Sequence, residues 1–287
     1  MRRLKAAVTA LVLAGIGPVA PVFALQERVE NVELELMTWP ELNEAIQRKG
    51  KTVALVYNGG TEQRGPHGAL GAHSLMGRET VKAIALQLGN AIAAPVLPFS
   101  PNYDTGKIPG TIGLSALAYK LVNQNLAEQL IRSGFRTVVL MGDHFEGQQE
   151  LAALATLLER RYASQGIHVF YCGDVYTKAG DTFAAWLKAN GYPLSGHGGI
   201  ADTSELLYLG GDKGWVRTDL VATAVGDSIR APGHWHDGNV KPINNGIMGD
   251  ARRSSASLGK QLFDLKVSYG VAQINRMLRS VRKSRES

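Results

Sequence analysis

The sequence predicts an α/β fold in three layers, with a mostly parallel central sheet between two layers of helices. Short apolar runs rich in β-branched residues, such as residues 52–57 and 137–141, are typical of buried strands. Longer segments between these runs carry apolar residues at spacings of three and four, as amphipathic helices do. Strands that alternate with such helices are joined by parallel crossovers, which place helices on both faces of the sheet.

The predicted elements follow one another in a regular order. Thr38 precedes a helix that extends to about residue 48, and Pro40 lies in its first turn, where helices accept proline. Strands are predicted at residues 52–57, 91–97, 137–141 and 168–172. Helices are predicted at residues 75–88, 114–132, 148–164 and 182–190. In the last third, an element begins at residue 204, and residues 254–282 are mostly helical.

The first 24 residues have the pattern of a secretory signal peptide. A basic start, Met1-Arg2-Arg3-Leu4-Lys5, is followed by an apolar stretch and the cleavage motif Val22-Phe23-Ala24. A retained membrane anchor is the alternative, but only ~17 residues are apolar, whereas a spanning helix needs ~20. We therefore expect cleavage after Ala24, a periplasmic or secreted protein with no stable membrane insertion, and one mature α/β domain covering residues 25–287.

Composition argues against several kinds of partner and site. The formal net charge is +6, and removal of the leader, with its three basic residues and no acid, lowers it to +3. The chain has no block of Lys and Arg with interleaved aromatic residues, so no nucleic-acid partner is expected. Cys172 is the only cysteine, which excludes an intramolecular disulfide and a thiolate metal cluster. Its apolar, strand-like surroundings predict a buried, unreactive thiol.

Residues of the types that bind metals follow two of the predicted strands. Glu62 and His73 lie in the glycine-rich segment after residues 52–57, and His144 and Glu146 follow residues 137–141. Open α/β sheets bind ligands outside the carboxyl ends of their strands. Imidazole and carboxylate ligands suit zinc or manganese. The sequence therefore predicts a metal site at this edge of the sheet.

The same segments resemble the motifs of the creatininase (creatinine amidohydrolase) family. Residues 61–73, T-E-Q-R-G-P-H-G-A-L-G-A-H, resemble the family signature T-E-Q-H-G-P-H-L-P-L-G-T-D. Further similar motifs follow the family order: T-W-P-E at 38–41, P-G-T at 109–111, G-F-R at 134–136, H-F-E-G at 144–147, H-G-G at 197–199, D-T-S at 202–204 and G-I-M-G-D at 246–250. The resemblance covers nearly the whole mature chain.

The resemblance implies a two-metal centre, usually of zinc or manganese, that hydrolyses a carbon–nitrogen bond of a cyclic or linear amide. The family's ligand positions correspond here to Glu62, Arg64, His73, His144 and Glu146. Two of them depart from the family, because Arg64 replaces a ligand histidine and His73 replaces the bridging aspartate. A guanidinium has no lone pair for a cation. A neutral imidazole has one free nitrogen, so His73 can serve a single ion only.

These departures predict one zinc ion per chain, with manganese as the alternative, held by Glu62, His73 and His144 with an open fourth position. Arg64 is expected to fill the second site, to pair with Glu146 and, together with the metal, to be a candidate for stabilising the oxyanion. Glu146 could instead act as a general base toward the metal-bound water. His197 matches a family histidine beside the substrate and is expected to protonate the departing amine.

Other histidines receive weaker assignments. His67 matches a family histidine that lies near the centre without being a main ligand, which predicts a supporting contact. His234 and His236 alternate and would share a face of an extended strand. Because the family motifs do not include this pair, a surface loop or a pocket rim is the preferred interpretation.

The sequence thus predicts an exported amidohydrolase that cleaves a small-molecule amide through a zinc-bound water. The alternative is a protein of another class, a periplasmic binding or scaffold protein that kept the fold and lost turnover. Arg64 and His73 are the reason to consider it, because they replace two of the family's metal ligands. A lactone or a small peptide as substrate stays open. Self-association into a homo-oligomer is expected by resemblance.

Overall fold

The computed structural model describes residues 30–102, 108–229 and 245–286. The predicted signal peptide, residues 1–24, lies outside these ranges, as do His234 and His236. Within the described ranges, no helix combines the length and the apolar character needed to cross a membrane.

Four parallel strands form the sheet, in the order β2-β1-β3-β4. They are β1 (Val53–Asn58), β2 (Ala91–Ala93), β3 (Thr137–Gly142) and β4 (His168–Tyr171). All residues of β1 and β3 are buried, as expected for the central strands of a parallel sheet. The predicted strand at residues 91–97 is shorter in the structure, because Pro95 has no N–H to donate to the ladder.

Eight α-helices are described in addition to the sheet. They are α1 (Trp39–Gln47), α2 (Ala72–Leu88), α3 (Ala116–Arg132), α4 (Gln148–Tyr162), α5 (Thr177–Ala189), α6 (Ile200–Gly210), α7 (Thr218–Val221) and α8 (Ala256–Glu286). Short 3-10 turns cover Leu34–Leu36 and Ala163–Gln165.

Alternate residues of the central strands bury opposite faces of the sheet. Ala54 and Val56 of β1 pack into a cluster with residues of α1, α3 and α4. Leu55 and Tyr57 point the other way and pack with residues of α2 and α8. The strand period of two therefore separates two cores. This arrangement confirms the three-layer α/β/α fold and the parallel sheet.

Three helices begin earlier than the sequence predicts, and one of them is α6, which starts at Ile200 and not at residue 204. Helix α2 starts at Ala72, three residues before the predicted start, so His73 lies in its first turn and not in a loop. The pattern becomes visible only from Leu75, because the first turn buries the polar His73. Helix α5 starts at Thr177, ahead of the predicted residue 182. By contrast, α1 has the predicted start, with Thr38 and Glu41 forming a capping box.

Burial of Cys172 is also confirmed. Its side chain is fully buried, and its thiol lies 3.1 Å from the amide oxygen of Gln273. Burial raises the pKa of this thiol to about 12. A thiol with this pKa is not a nucleophile at neutral pH.

The contact between α2 and the sheet at Gly77 provides a test of the packing. A Cβ added at Gly77 would lie 2.5 Å from Cε1 of Tyr57, a fully buried ring. We expect Gly77→Ala to lower the free energy of unfolding by ~1–3 kcal/mol through overpacking, although alanine favours the helix. Urea denaturation followed by circular dichroism measures the change.

Gly180 of α5 is the matched control for this substitution. An added Cβ at Gly180 meets no atom within 4 Å. Gly180→Ala should therefore keep or raise the free energy of unfolding, by up to ~1 kcal/mol. Equal stability of the two variants would contradict the described contact between Gly77 and Tyr57.

Candidate metal centre

The predicted ligands lie at the carboxyl ends of β1 and β3. The register pairs Asn58 with Gly142, the last residues of the two central strands, so the segments that follow leave the sheet side by side. His144 follows β3 almost at once, and Glu62 lies in the loop after β1. His73 reaches the same place from the first turn of α2. The site thus lies where the sheet geometry predicts it.

Glu62, His73 and His144 meet in this position and are all buried. A ligand-type atom of each lies within 4.8 Å of those of the other two. Nε2 of His73 is 3.0 Å from Oε1 of Glu62, and Nε2 of His144 is 3.0 Å from Oε2. The three side chains could therefore hold one metal ion.

A second carboxylate faces the other nitrogen of each imidazole. Nδ1 of His73 is 3.5 Å from Oδ2 of Asp143, and Nδ1 of His144 is 3.2 Å from Oε2 of Glu146. A carboxylate at Nδ1 favours a proton on that nitrogen, which leaves the Nε2 lone pair directed at the centre. This arrangement is the one that histidine ligands of metals show in proteins, and the residues present fit a metal ion.

The titration of the three side chains reflects their burial and their charged neighbours. Burial opposes the ionisation of Glu62, but the Arg64 guanidinium and the hydrogen bond with His144 outweigh it and hold the pKa of Glu62 well below its usual range. Burial and Arg64 together lower the pKa of His73 to about 4. Burial also opposes the charge on His144, but the hydrogen bond with Glu62 raises its pKa above the ordinary value.

Arg64 lies beside the three side chains and is almost completely buried. Its Nη2 donates to Oε1 of Glu62 at 2.6 Å, and its Nη1 forms an ion pair with Asp202 in the first turn of α6. Burial disfavours the charged guanidinium, but the carboxylates of Asp202 and Glu62 raise its pKa. Arg64 is thus a fixed positive charge between two carboxylates.

The expected ion pair between Arg64 and Glu146 is wrong. In the described part of the chain, the carboxylate partners of Arg64 are Glu62 and Asp202. Glu146 instead contacts Nδ1 of His144. The reason is the position of α6, whose first turn brings Asp202 onto the loop after β1. Nη1 and Nη2 of the guanidinium each face a carboxylate, whereas its Nε has no hydrogen-bond partner in the described part of the chain.

His197 is at the site and is held in place. Its Nε2 donates to the carbonyl of Gln63 at 2.5 Å, and its Nδ1 is 3.4 Å from Oε1 of Glu62. The side chain is 23% exposed, more than those of the three candidate ligands. Burial and Arg64 lower the pKa of His197. His197 is thus a neutral imidazole at the outer side of the centre.

His67 does not contact the three candidate ligands. Its Nε2 is 2.7 Å from the hydroxyl of Thr203, and both side chains are buried. Thr203 lies next to Asp202 in the first turn of α6. His67 therefore supports the segment that carries the partner of Arg64.

Several residues at the site are not among those predicted from the sequence. Asn102 donates to Oε2 of Glu62 at 2.8 Å, and Asp143 faces His73. Lys266 of α8 donates to Oδ1 of Asp143 at 2.8 Å. The sequence contains an indication for two of these residues. Asp143 directly precedes the predicted ligand His144, and Lys266 lies four residues after Leu262 in an apolar helix stripe. The sequence contains no comparable signal for Asn102.

An α/β/α fold whose strand ends bring together two imidazoles and a carboxylate has the features of a metal-dependent hydrolase. A family model described as Creatininase, creatinine amidohydrolase, matches residues 35–274, so the chain belongs to the creatininase family. Family, fold and site together support a metal-dependent amidohydrolase. A comparison with curated proteins gave no match.

Solved structures of creatininases share the fold. A structure described as the manganese form of creatininase has a TM-score of 0.70 and 23% identity, over 86% of this chain and 99% of the other. A mutant creatininase described as Zn-Zn type has a TM-score of 0.70 and 22% identity, over 86% and 98%. A putative creatinine amidohydrolase from Bacteroides fragilis has a TM-score of 0.64 and 15% identity, over 86% and 96%.

The buried guanidinium gives a test of the charge arrangement. Arg64→Met would leave the carboxylates of Glu62 and Asp202 without their cation, and we expect the free energy of unfolding to fall by ~3–5 kcal/mol. Urea denaturation of the purified protein measures this loss. Arg161→Met is the control, because Arg161 pairs with Glu128 at the surface, with a side chain 48% exposed. The control should change stability by less than ~1 kcal/mol, and an equally small loss for Arg64→Met would refute the described role.

Proposed function

We propose that this protein is an amidohydrolase with one metal ion per chain, held by Glu62, His73 and His144. The observation that carries the proposal is the pair of imidazoles with Nε2 directed at Glu62 and a carboxylate at each Nδ1. Three protein ligands of the His₂Glu type are the donor set of many catalytic zinc sites. Zinc is the favoured ion, and manganese is the alternative.

The number of ions follows from Arg64. The resemblance implies a second ion at a position where this chain has a guanidinium, which cannot coordinate a cation. Arg64 lies against Glu62 and carries a fixed positive charge there. A second divalent cation close to this charge would be repelled at short range in a buried site. We infer that Arg64 replaces the second ion and holds Glu62 in place.

The residues around the centre divide the remaining tasks. A bound zinc or manganese ion would supply Lewis acidity, which polarises an amide carbonyl and activates water. Nδ1 of His197 can take up a proton and return it to the leaving nitrogen, because the Gln63 carbonyl fixes the N–H at Nε2. Glu62 lies 3.4 Å from that Nδ1 and would stabilise the protonated ring. The backbone carbonyl and the carboxylate of Glu146 both lie at Nδ1 of His144, at 3.3 and 3.2 Å, which favours a positioning role over that of a general base.

Metal content is the first test. We expect purified wild-type protein to bind about one zinc per chain and His144→Ala to lose it, because two ligands do not make a stable site. Elemental analysis and calorimetric titration measure the stoichiometry. His168→Ala is the control, since His168 opens β4 and contacts Glu159 away from the centre. Two ions per chain, or none in a folded protein, would contradict the proposal.

A binding or scaffold protein without turnover is the second candidate. The observation in its favour is that the two oxygens of Glu62 lie within hydrogen-bond distance of both Nε2 atoms, so the same side chains can satisfy one another as donors and acceptors. In that case the family's buried polar centre would be retained for stability alone.

Turnover separates the two candidates. Zinc-loaded protein is screened against cyclic amides, linear amides, lactones and small peptides, with creatinine included. Because two ligand positions are altered, we expect the substrate to be an amide other than creatinine. For the substrate found, His197→Ala should lower kcat by ~10²–10⁴-fold, the usual contribution of a general acid or base, with unchanged zinc content. Full activity of His197→Ala would remove the assigned role of His197. The absence of turnover over the whole screen would favour the scaffold. Export and self-association stay predictions from the sequence.

A further inference from the structure

A buried ionic cluster lies behind the metal centre, and the proposed function does not use it. Lys266 of α8 is bonded to two carboxylates, with Nζ 2.8 Å from Oδ1 of Asp143 and 2.6 Å from Oε2 of Glu205. The three side chains are at most 7% exposed. They come from three different parts of the fold, because Asp143 follows β3, Glu205 lies in α6 and Lys266 lies in α8.

The position of Lys266 in α8 is one that the core would normally give to an apolar residue. Leu262, one turn before Lys266, and Val267, the next residue, are both buried apolar side chains. Replacement of a buried ion pair by apolar residues is often neutral or stabilising. Stability alone is therefore a weak reason for an ammonium group at this place, and the reason is to be sought in what its partners do.

The two oxygens of Asp143 have different partners. Oδ1 accepts from Lys266, and Oδ2 faces Nδ1 of His73 at 3.5 Å. The ammonium group therefore fixes the rotation of the carboxylate that orients the His73 ring. Glu205 holds the ammonium from the other side and keeps Lys266 from turning away from Asp143.

We propose that Lys266 is a positioning residue of the metal centre, acting through Asp143 on His73. This inference rests on the proposed function, because orienting His73 matters most when its Nε2 is a ligand. His73 stands at a position where the resemblance implies an aspartate. An imidazole ligand has a second ring nitrogen that needs a hydrogen-bond partner of its own, whereas a carboxylate has no such nitrogen. The C-terminal helix supplies the charge that holds this partner.

The test compares Lys266→Met with Lys260→Met in the full chain. Lys260 is an exposed lysine of the same helix that pairs with Asp264, so it controls for the substitution itself. Cobalt(II) replaces zinc as the probe, and its visible absorption reports binding in a competition with a chelator. We expect Lys266→Met to bind cobalt ~10-fold more weakly than wild type, at the lower end of what loss of an outer partner costs. Lys260→Met should bind it as wild type does.

A second readout does not depend on metal. The ¹⁵N chemical shifts of the His73 ring in metal-free protein, assigned with His73→Asn, report which nitrogen carries the proton. We expect Lys266→Met to change them, because Asp143 loses its fixed orientation. Where Lys266→Met does not fold, Lys266→Gln, which keeps a hydrogen-bond donor, takes its place in both measurements.

The outcomes separate the two proposals. If the wild-type protein binds cobalt, the cobalt affinity of the variant tests the positioning role. A folded Lys266 variant that binds cobalt as tightly as wild type overturns this role, even if the variant is less stable. If wild type binds no cobalt, the proposed function fails, and the His73 ring shifts decide. Unchanged shifts then overturn the effect of Lys266 on His73 through Asp143, and changed shifts uphold that effect.

Discussion

The carboxylate of Glu62 is the group on which the rest of the centre depends. It accepts from Arg64 at 2.6 Å and from Asn102 at 2.8 Å, and it lies 3.0 Å from an imidazole nitrogen of both His73 and His144. A buried carboxylate is costly unless cations and donors surround it. The fixed charge of Arg64 meets this need permanently, so the centre remains assembled around Glu62 whether or not a metal ion contributes.

Much of the fold could be predicted because its strands and helices follow simple periodic rules. Strands β1 and β3 are short apolar runs, which are typical of buried strands in a parallel sheet. The start of α2 could not be predicted from periodicity, because its first turn buries His73 for the site and not for the core. The apolar pattern at residues 91–97 overstated β2, since it does not register the missing N–H of Pro95.

The residues that meet at the candidate site could be predicted, whereas the partners of its charged residues could not. Glu62 and His144 follow neighbouring parallel strands, so the topology alone brings them to one edge. The partner of Arg64 depends on where α6 begins, and nothing near Arg64 in the sequence points to Asp202. Lys266 is more distant still, and a lysine within an apolar stripe indicates a buried charge without identifying its partner.

The proton count of the two imidazoles favours an ion at the centre over a self-contained hydrogen-bond network. Each ring of His73 and His144 lies between two carboxylates, one at Nε2 and one at Nδ1. A neutral imidazole has a single N–H, so it can donate to only one of the two. A second proton on His73 is disfavoured, because burial and Arg64 lower the pKa of that ring, whereas the hydrogen bond with Glu62 raises the pKa of His144. A divalent ion held by Glu62 and both imidazoles would leave the single proton of His73 to Asp143, and it would spare the site the charge of a protonated His144.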